Sequence, residues 1–561
     1  MPADTDPQPE PEIRTVSFVS LGCPKNLVDS ERMLGSLAQD GLIPVSYHPT
    51  DDERWDDAGH TENTSFTEGD SVAVDEGVDP ADAVVINTCG FLEASKEESM
   101  AVIRDAVRAK QAGRVKRVVV AGCLVQRHKA KMLDWEPGID AMIGVFDRDH
   151  IIEAVRGVRP ERDHLSPDES PKYWVASNAL VAARDRGLQT TGLTVNGKDG
   201  KGVGYFEDDS ARLRLTPRHY AYLRMSEGCN QACAFCTIPS IRGKMRSKPI
   251  DRVVAEAKEL ITDGVFELNL IGQDTTSYGD DIGLGWKETP APDLFSNGGL
   301  PQLLKSVSDA VRETGGQGWV RLMYAYPSNF RDEFIDAFAA LCEQGHLLPY
   351  IDIPLQHASQ RMLEQMRRHV SADQQADLMR TLRDRIPGLA IRTTFISGFP
   401  GETEQDHEQL LEFIEEVGFD ALGVFEYSAE PGTPAGTMEQ DPALAVPPEV
   451  KARRKGEIMA LQQRIAFEQA RYIADQWDEA DPLGSGVQLD ILIDRVAGDS
   501  LFQGRAYHQA PQIDSVTYVQ TSQQLAPGEL VRCAIVDADG YDLIARPLAD
   551  LDPTVRLNIL R

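Results

Sequence analysis

The chain has 561 residues, of which 41% are hydrophobic and 26% charged, with a formal net charge of −32. This length asks for about three domains, and the ordinary composition excludes a fibrous or wholly disordered chain. Such an excess of negative charge repels nucleic acid unless a basic patch is set apart, and it attracts basic proteins.

The run Met1 to Glu12 is acidic and proline-rich with no apolar stretch. It reads as a disordered tail over 1–13, and neither as a signal peptide nor as an anchor. No apolar stretch anywhere is long enough to span a bilayer, so no membrane partner is expected. Eight cysteines in this length are too few and too clustered for a secreted disulfide framework. A reducing, cytoplasmic setting is expected.

Residues 14–155 alternate strand and helix patterns. Thr15 to Ser20 is a β-branched run, and Ala83 to Asn87 and Arg117 to Ala121 are apolar throughout. A helix begins near Asp29, with Met33, Leu34, Leu37 and Ala38 on one face; another carries Met100, Ile103 and Val107. Apolar strands separated by helices predict a parallel α/β sandwich. Cys23, Cys89 and Cys123 each follow a strand's carboxyl end, the edge where open α/β sheets bind ligands. The three thiols are therefore expected to converge, although each could instead be a small buried core residue. Residues 49–79 interrupt this domain with eleven Asp and Glu against Arg54 alone, the composition of a disordered surface insertion. Residues 156–215 read as an irregular linker.

A second β/α series fills 216–466. Strands are predicted at 220–225, 265–271, 319–323, 349–353, 391–397 and 421–426. Helices are predicted at 250–263, 301–313, 331–344, 359–367, 372–385 and 404–417. Six such units predict a partial (β/α) barrel with functional loops at the strands' carboxyl ends. The loop after the first strand reads Glu227-Gly-Cys-Asn-Gln-Ala-Cys-Ala-Phe-Cys236. Cys229, Cys233 and Cys236 can hold three corners of a cubane iron–sulfur cluster, and nothing nearby supplies the fourth, which leaves one iron open to a small molecule. Zinc would need four ligands in two pairs, and the second pair is missing.

Other residues at the same edge are candidates for cofactor contact. Gly272, Gln273 and Asp274 close the second barrel strand, Gln356 and His357 end the fourth, and Gly398 to Thr403 follows the fifth. Strand-end turns are the plain alternative. Arg242 and Lys244 could meet a carboxylate or form a solvated loop pair. Cys342 and Cys533 read as buried small residues.

A long charged helix from about 448 to 476 leads to short strands with Gly, Pro or Asp turns over 485–547. This last domain, 467–548, predicts a small antiparallel β-barrel, followed by a tail over 549–561. Residues 468–561 hold seven Arg and no Lys against fifteen Asp and Glu. That sign argues against a phosphate backbone as main ligand and suits a basic protein.

The cysteine triplet, three residues apart and then two, resembles that of the radical S-adenosylmethionine (SAM) enzymes. Longer motifs carry a closer resemblance: Ser20-Leu-Gly-Cys-Pro-Lys-Asn-Leu-Val-Asp-Ser-Glu31, Asn87-Thr-Cys-Gly-Phe91, Thr216-Pro-Arg-His-Tyr-Ala-Tyr222, Tyr350-Ile-Asp-Ile-Pro-Leu-Gln-His-Ala-Ser359 and Gly398-Phe-Pro-Gly-Glu-Thr403. With the domain order, they make the chain similar to the methylthiotransferase family from Ile13 to Pro547, most of all to members that modify an aspartate of ribosomal protein uS12.

The resemblance implies two 4Fe-4S clusters, on Cys229, Cys233 and Cys236 and on Cys23, Cys89 and Cys123. It implies SAM as cofactor, bound near Gly272, Gln273, Asp274, Gln356, His357 and Gly398. One SAM would yield a 5′-deoxyadenosyl radical that takes a hydrogen from the aspartate β-carbon, and another would methylate the sulfur delivered there. It also implies a TRAM-like C-terminal domain and an electron donor of the flavodoxin or ferredoxin kind. The alternative, a tRNA adenosine 2-methylthiotransferase, fits less well. Relatives that act on tRNA typically carry Gln-Met-Asn after the first cysteine, where this chain has Pro24, Lys25 and Asn26.

Overall fold

The structure, a computed structural model, describes residues 12–45, 81–157, 173–187, 204–286 and 293–552. The acidic insertion at 49–79 and most of both tails lie outside the described residues.

The first domain is one parallel sheet of six strands: β1 (Thr15–Ser20), β2 (Ile43–Pro44), β3 (Ala83–Thr88), β4 (Arg117–Gly122), β5 (Ala141–Ile143) and β6 (Tyr173–Trp174). Their spatial order is β2-β1-β3-β4-β5-β6. All six residues of β3 are buried, because helices cover both faces. The order reverses at β1, so the crevice outside the carboxyl ends of β1 and β3 is the topological switch point. Register aligns Ser20 with Asn87 and Asn87 with Ala121, so β1, β3 and β4 release their following residues at nearly one level.

Two expectations need correction here. The first helix spans Pro24–Gln39, starting five residues before Asp29. Proline suits a first helical position, where no donor is needed, and Asp29 is buried in a charge cluster instead of capping. Residues 156–215 are also more than an irregular linker. They contain β6, which pairs with β5, and the helix Ala179–Asp185. A two-residue strand shows no alternation to read, and its partner lies about thirty residues away.

The second domain is the six-stranded parallel sheet β14-β13-β12-β11-β10-β7, with β7 (Tyr220–Arg224), β10 (Glu267–Ile271), β11 (Trp319–Leu322), β12 (Leu347–Asp352), β13 (Ala390–Ser397) and β14 (Ala421–Glu426). A two-stranded ribbon, β8 (Ser226–Glu227) with β9 (Arg246–Ser247), carries the cysteine loop. No pairing joins β14 to β7, so the barrel is partial, as expected. Large apolar residues such as Leu268, Leu322, Phe338 and Phe395 fill the space between strands and outer helices.

The helix Pro448–Ala474 leads to a closed five-stranded barrel of β15 (Gln488–Gly498), β16 (Leu501–Arg505), β17 (Thr517–Gln520), β18 (Leu530–Asp539) and β19 (Asp542–Pro547). Four of its pairings are antiparallel, and β17 with β19 is parallel. Buried ion pairs fasten it to the amino-terminal ends of the larger barrel. Arg505 meets Glu267 of β10 and Asp494, whose other oxygen reaches His219 at 2.8 Å. Among the described residues no helix is long and apolar enough to cross a membrane.

Candidate metal centres

Cys23 is the N-cap of the helix after β1, Cys89 follows β3, and Cys123 opens the helix after β4. Glycines let these three strand ends come together. Gly22 has φ +91°, and a Cβ there would lie 2.8 Å from the Cys89 Cβ. Gly122 has φ +99°, and its Cβ would meet the Asn87 carboxamide oxygen at 2.2 Å. Only glycine fits both the backbone and the space.

Asn26 ties the same ends together. Its Nδ2 donates to the carbonyls of Leu21 at 3.0 Å and Thr88 at 2.9 Å. Its Oδ1 accepts from the Cys123 thiol at 3.4 Å and from Arg242. In sequence Asn26 stands only as part of the run Cys23-Pro-Lys-Asn26, with no local sign of these four bonds.

The second trio sits beyond β8. Gly228, with φ +80°, lets the chain pass the Lys244 carbonyl, which a Cβ would approach to 2.3 Å. Backbone amides of Gln231 and Ile238 donate to the sulfurs of Cys229 and Cys236, each at 3.4 Å. Arg368 donates to the Cys233 sulfur at 3.5 Å while lying over the Tyr326 ring at 4.1 Å. No sequence signal singled out Arg368.

Burial favours the thiol form of Cys89, Cys123, Cys229 and Cys236 when nothing is bound. It pushes Cys123 and Cys236 up to about 12 and raises Cys89 and Cys229, with neighbouring cysteines adding to each shift. A bound cationic core displaces such protons. Among the described residues, no group of three His, Cys, Asp or Glu is drawn together tightly enough for one metal ion. A cubane spreads its thiolates over separate irons and does not ask three sulfurs to meet at one point. Three clustered sulfurs with backbone donors, in pockets shaped by glycine, fit such a group.

Arg242 joins the two trios. It donates to Glu227 at 2.8 Å, two residues before Cys229, and to Asp29 at 3.1 Å and Asn26 on the helix after Cys23. The alternative of a solvated loop residue is thus overturned: Arg242 is 2% exposed, whereas Lys244 is exposed. Arg242 belongs to a buried cluster in which Asp29, Glu31, Glu207, Asp209, Glu227 and Glu256 face Arg148, Arg212, Arg224, Arg242, Arg246 and Lys248. Six carboxylates meet six cations, and three of the members, Glu207, Asp209 and Arg212, come from the segment expected as linker.

The candidates for cofactor contact divide into two groups. Gln273 donates to Glu227 at 2.6 Å, Asp274 accepts from Gln231 at 2.8 Å, and a Cβ on Gly272 would meet the Ser226 hydroxyl at 2.6 Å. These three lie against the cysteine loop. Gln356 has φ +76° and is held between Thr394 and Ile396 of β13. His357 is fully buried, and its Nδ1 accepts from the amides of Ala358 and Ser359, both at 3.0 Å. Burial lowers its pKa to about 3. Gly398 makes room for the Lys451 side chain, which a Cβ would strike at 2.2 Å. Packing against Lys451 accounts for Gly398, whereas His357 keeps its Nε2 buried without a hydrogen-bond partner among the described residues.

A parallel partial barrel with Cys-x-x-x-Cys-x-x-Cys at its mouth defines a radical SAM enzyme, and residues 223–414 match the radical SAM superfamily model. Residues 486–548 match the TRAM domain model, and 63–144 match the model described as uncharacterized protein family UPF0004. The chain is 35% identical to the ribosomal protein uS12 methylthiotransferase RimO of Trichlorobacter lovleyi, over 95% of its own length and 98% of that protein. It is 38% identical to the RimO of Anaeromyxobacter sp. strain K, over 94% of its own length and 92% of that protein. The chain belongs to the RimO family of ribosomal protein uS12 methylthiotransferases. Among solved structures it is similar to the radical SAM methyltransferase TsrM of Kitasatospora setae, with 14% identity and a TM-score of 0.47 over 76% of this chain and 77% of that one.

Proposed function

We propose that this protein places a methylthio group on the β-carbon of an aspartate in ribosomal protein uS12. The observation that carries this reading is 35% identity to a uS12 methylthiotransferase over 95% of the chain, whose two cysteine trios are joined through Arg242. The groups bound there, a 4Fe-4S cluster on each trio with SAM at Cys229, Cys233 and Cys236, would supply a 5′-deoxyadenosyl radical and a sulfur methylated by a second SAM.

The chain's own residues hold the geometry. Arg242 and Glu227 set the separation of the two trios, and Asn26 keeps Cys23, Cys89 and Cys123 at the switch point. Gly272, Gln273, Asp274 and Gln356 form the SAM-facing set, with His357 and Gly398 behind them as supports. An acidic C-terminal barrel gives a basic ribosomal protein a complementary surface. A flavodoxin or ferredoxin would supply electrons, and the cytoplasm, where ribosomes are modified, would be the place of action.

The test is incubation of the reconstituted enzyme with SAM, a reductant and either uS12 or tRNA. A methylthio group on an aspartate of uS12, found by mass spectrometry, is expected. Methylthio-adenosine in tRNA with unmodified uS12 would overturn the proposal.

A further inference from the structure

Lys25 is a buried cation to which, among the described residues, no carboxylate is paired. It follows Cys23 by two positions and is only 6% exposed. Its Nζ lies 3.0 Å from the centre of the Tyr324 ring. Tyr324 follows β11 at the barrel mouth, with φ +59°, and its amide is held by Asp352 at 3.1 Å. Lys25 therefore bridges the Cys23 end of the first domain and the open end of the barrel.

The surrounding cations are all paired. Arg242 and Arg224 share Asp29 and Glu227, Arg148 takes Asp29 and Asp209, and Lys248 takes Asp209 and Glu256. Among the described residues Lys25 forms no ion pair and no hydrogen bond. The nearby carboxylates are already engaged: Asp352 accepts from Tyr324 and from Arg392 at 2.9 Å, and Glu227 accepts from Arg224, Arg242 and Gln273. An aromatic face compensates a buried ammonium only in part. Burying an ammonium without a directly bonded carboxylate is costly, and a ligand carboxylate that reaches Nζ recovers part of that cost.

We propose that Lys25 receives a carboxylate, that of the substrate aspartate. This rests on the reading of the chain as an aspartate methylthiotransferase. The β-carbon to be modified is bonded directly to that carboxylate, so fixing the carboxylate fixes which β-hydrogen faces the reacting groups. Asparagine has nearly the same shape and no charge, so Lys25 would select for the acid. The other carboxylate that could reach this region belongs to SAM, and the two sources separate by experiment.

Reconstituted wild-type, Lys25→Met and Lys25→Arg enzymes are titrated with uS12 and with uS12 carrying asparagine at the target aspartate. Wild type is expected to bind the aspartate form about tenfold more tightly, as a charge-assisted bond supplies. Lys25→Met abolishes that preference and Lys25→Arg keeps part of it. Iron content and the release of 5′-deoxyadenosine from SAM without uS12 stay as in wild type. A Lys25→Met enzyme that keeps the full preference overturns the proposal. So does one whose SAM cleavage falls while the preference stands, since Lys25 would then serve SAM. If Lys25→Met fails to hold iron, the wild-type titration decides by itself: equal binding of both uS12 forms refutes the assignment. A wild type that neither binds nor modifies uS12 would instead sink the reading of function.

Discussion

Arg127 and Glu430 form a 2.7 Å ion pair between the helix that Cys123 opens and the loop after β14. The same guanidinium donates to the Gly90 carbonyl at 2.8 Å, one residue past Cys89. Glu430 also accepts from the Glu93 amide at 3.2 Å and from the Ser428 hydroxyl at 2.8 Å. One carboxylate thus fastens the Cys89 loop to the last strand of the barrel.

Glu430→Gln leaves the half-buried Arg127 without its counter-charge. Breaking a buried pair in this way costs about 3 kcal/mol. Faster hydrogen exchange is expected at residues 89–93, with SAM cleavage to 5′-deoxyadenosine retained. Unchanged exchange there would show that the clamp is not what holds the loop.

Gly22→Ala forces a side chain into a φ of +91° and against Cys89. Iron in the reconstituted enzyme should fall from about eight per chain toward about four, the content of a single cubane. The electron paramagnetic resonance signal of the barrel cluster, and its SAM cleavage, should persist. Cys229→Ala should give the converse, with SAM cleavage lost.

Arg242→Met removes one cation from a buried cluster of six acids and six bases. A loss of about 3–5 kcal/mol in unfolding free energy is expected by denaturant titration. Arg242→Lys should recover only part of it, because an ammonium cannot reproduce the fork that meets Asp29, Asn26 and Glu227 together.

His357 gives the protein a sensitivity to acid. Its folded pKa, about 3, lies below the usual histidine value, because it is buried and its Nδ1 is committed as an acceptor. The unfolded chain therefore binds this proton first. The histidine's contribution to stability is complete above about pH 6.5 and is lost as pH falls through the window down to about 3. The slope from this one group approaches about 1.4 kcal/mol per pH unit. His357→Gln should flatten that part of the curve in denaturant midpoints measured between pH 7 and pH 4.

Much of the scaffold was legible because it follows periodicity. The helices Ala372–Arg385 and Glu404–Val417 match their predicted limits, and the six barrel strands fall within about two residues of theirs. The position of Cys23, Cys89 and Cys123 just past three neighbouring strand ends followed from sheet topology. What escaped the sequence were charged residues facing inward. Asp29, Asp209 and Arg224 look like surface residues in any local window, because their partners lie up to 213 positions away. Arg368 escaped likewise, since it meets Cys233 across 135 positions. β6 was too short to announce itself, and a fixed spacing of motifs says nothing about which amide holds three strand ends together.

That amide has a consequence for which residues the position can tolerate. Asn26 gives protons to two carbonyls and takes them from a guanidinium and a thiol in one planar group. Aspartate would confront the carbonyls with nothing to offer, leucine would strand the guanidinium, and glutamine would overshoot by a methylene. The two-sidedness of a carboxamide is what the crossroads demands, so any descendant of this chain that abandons it must rebuild all four neighbours at once.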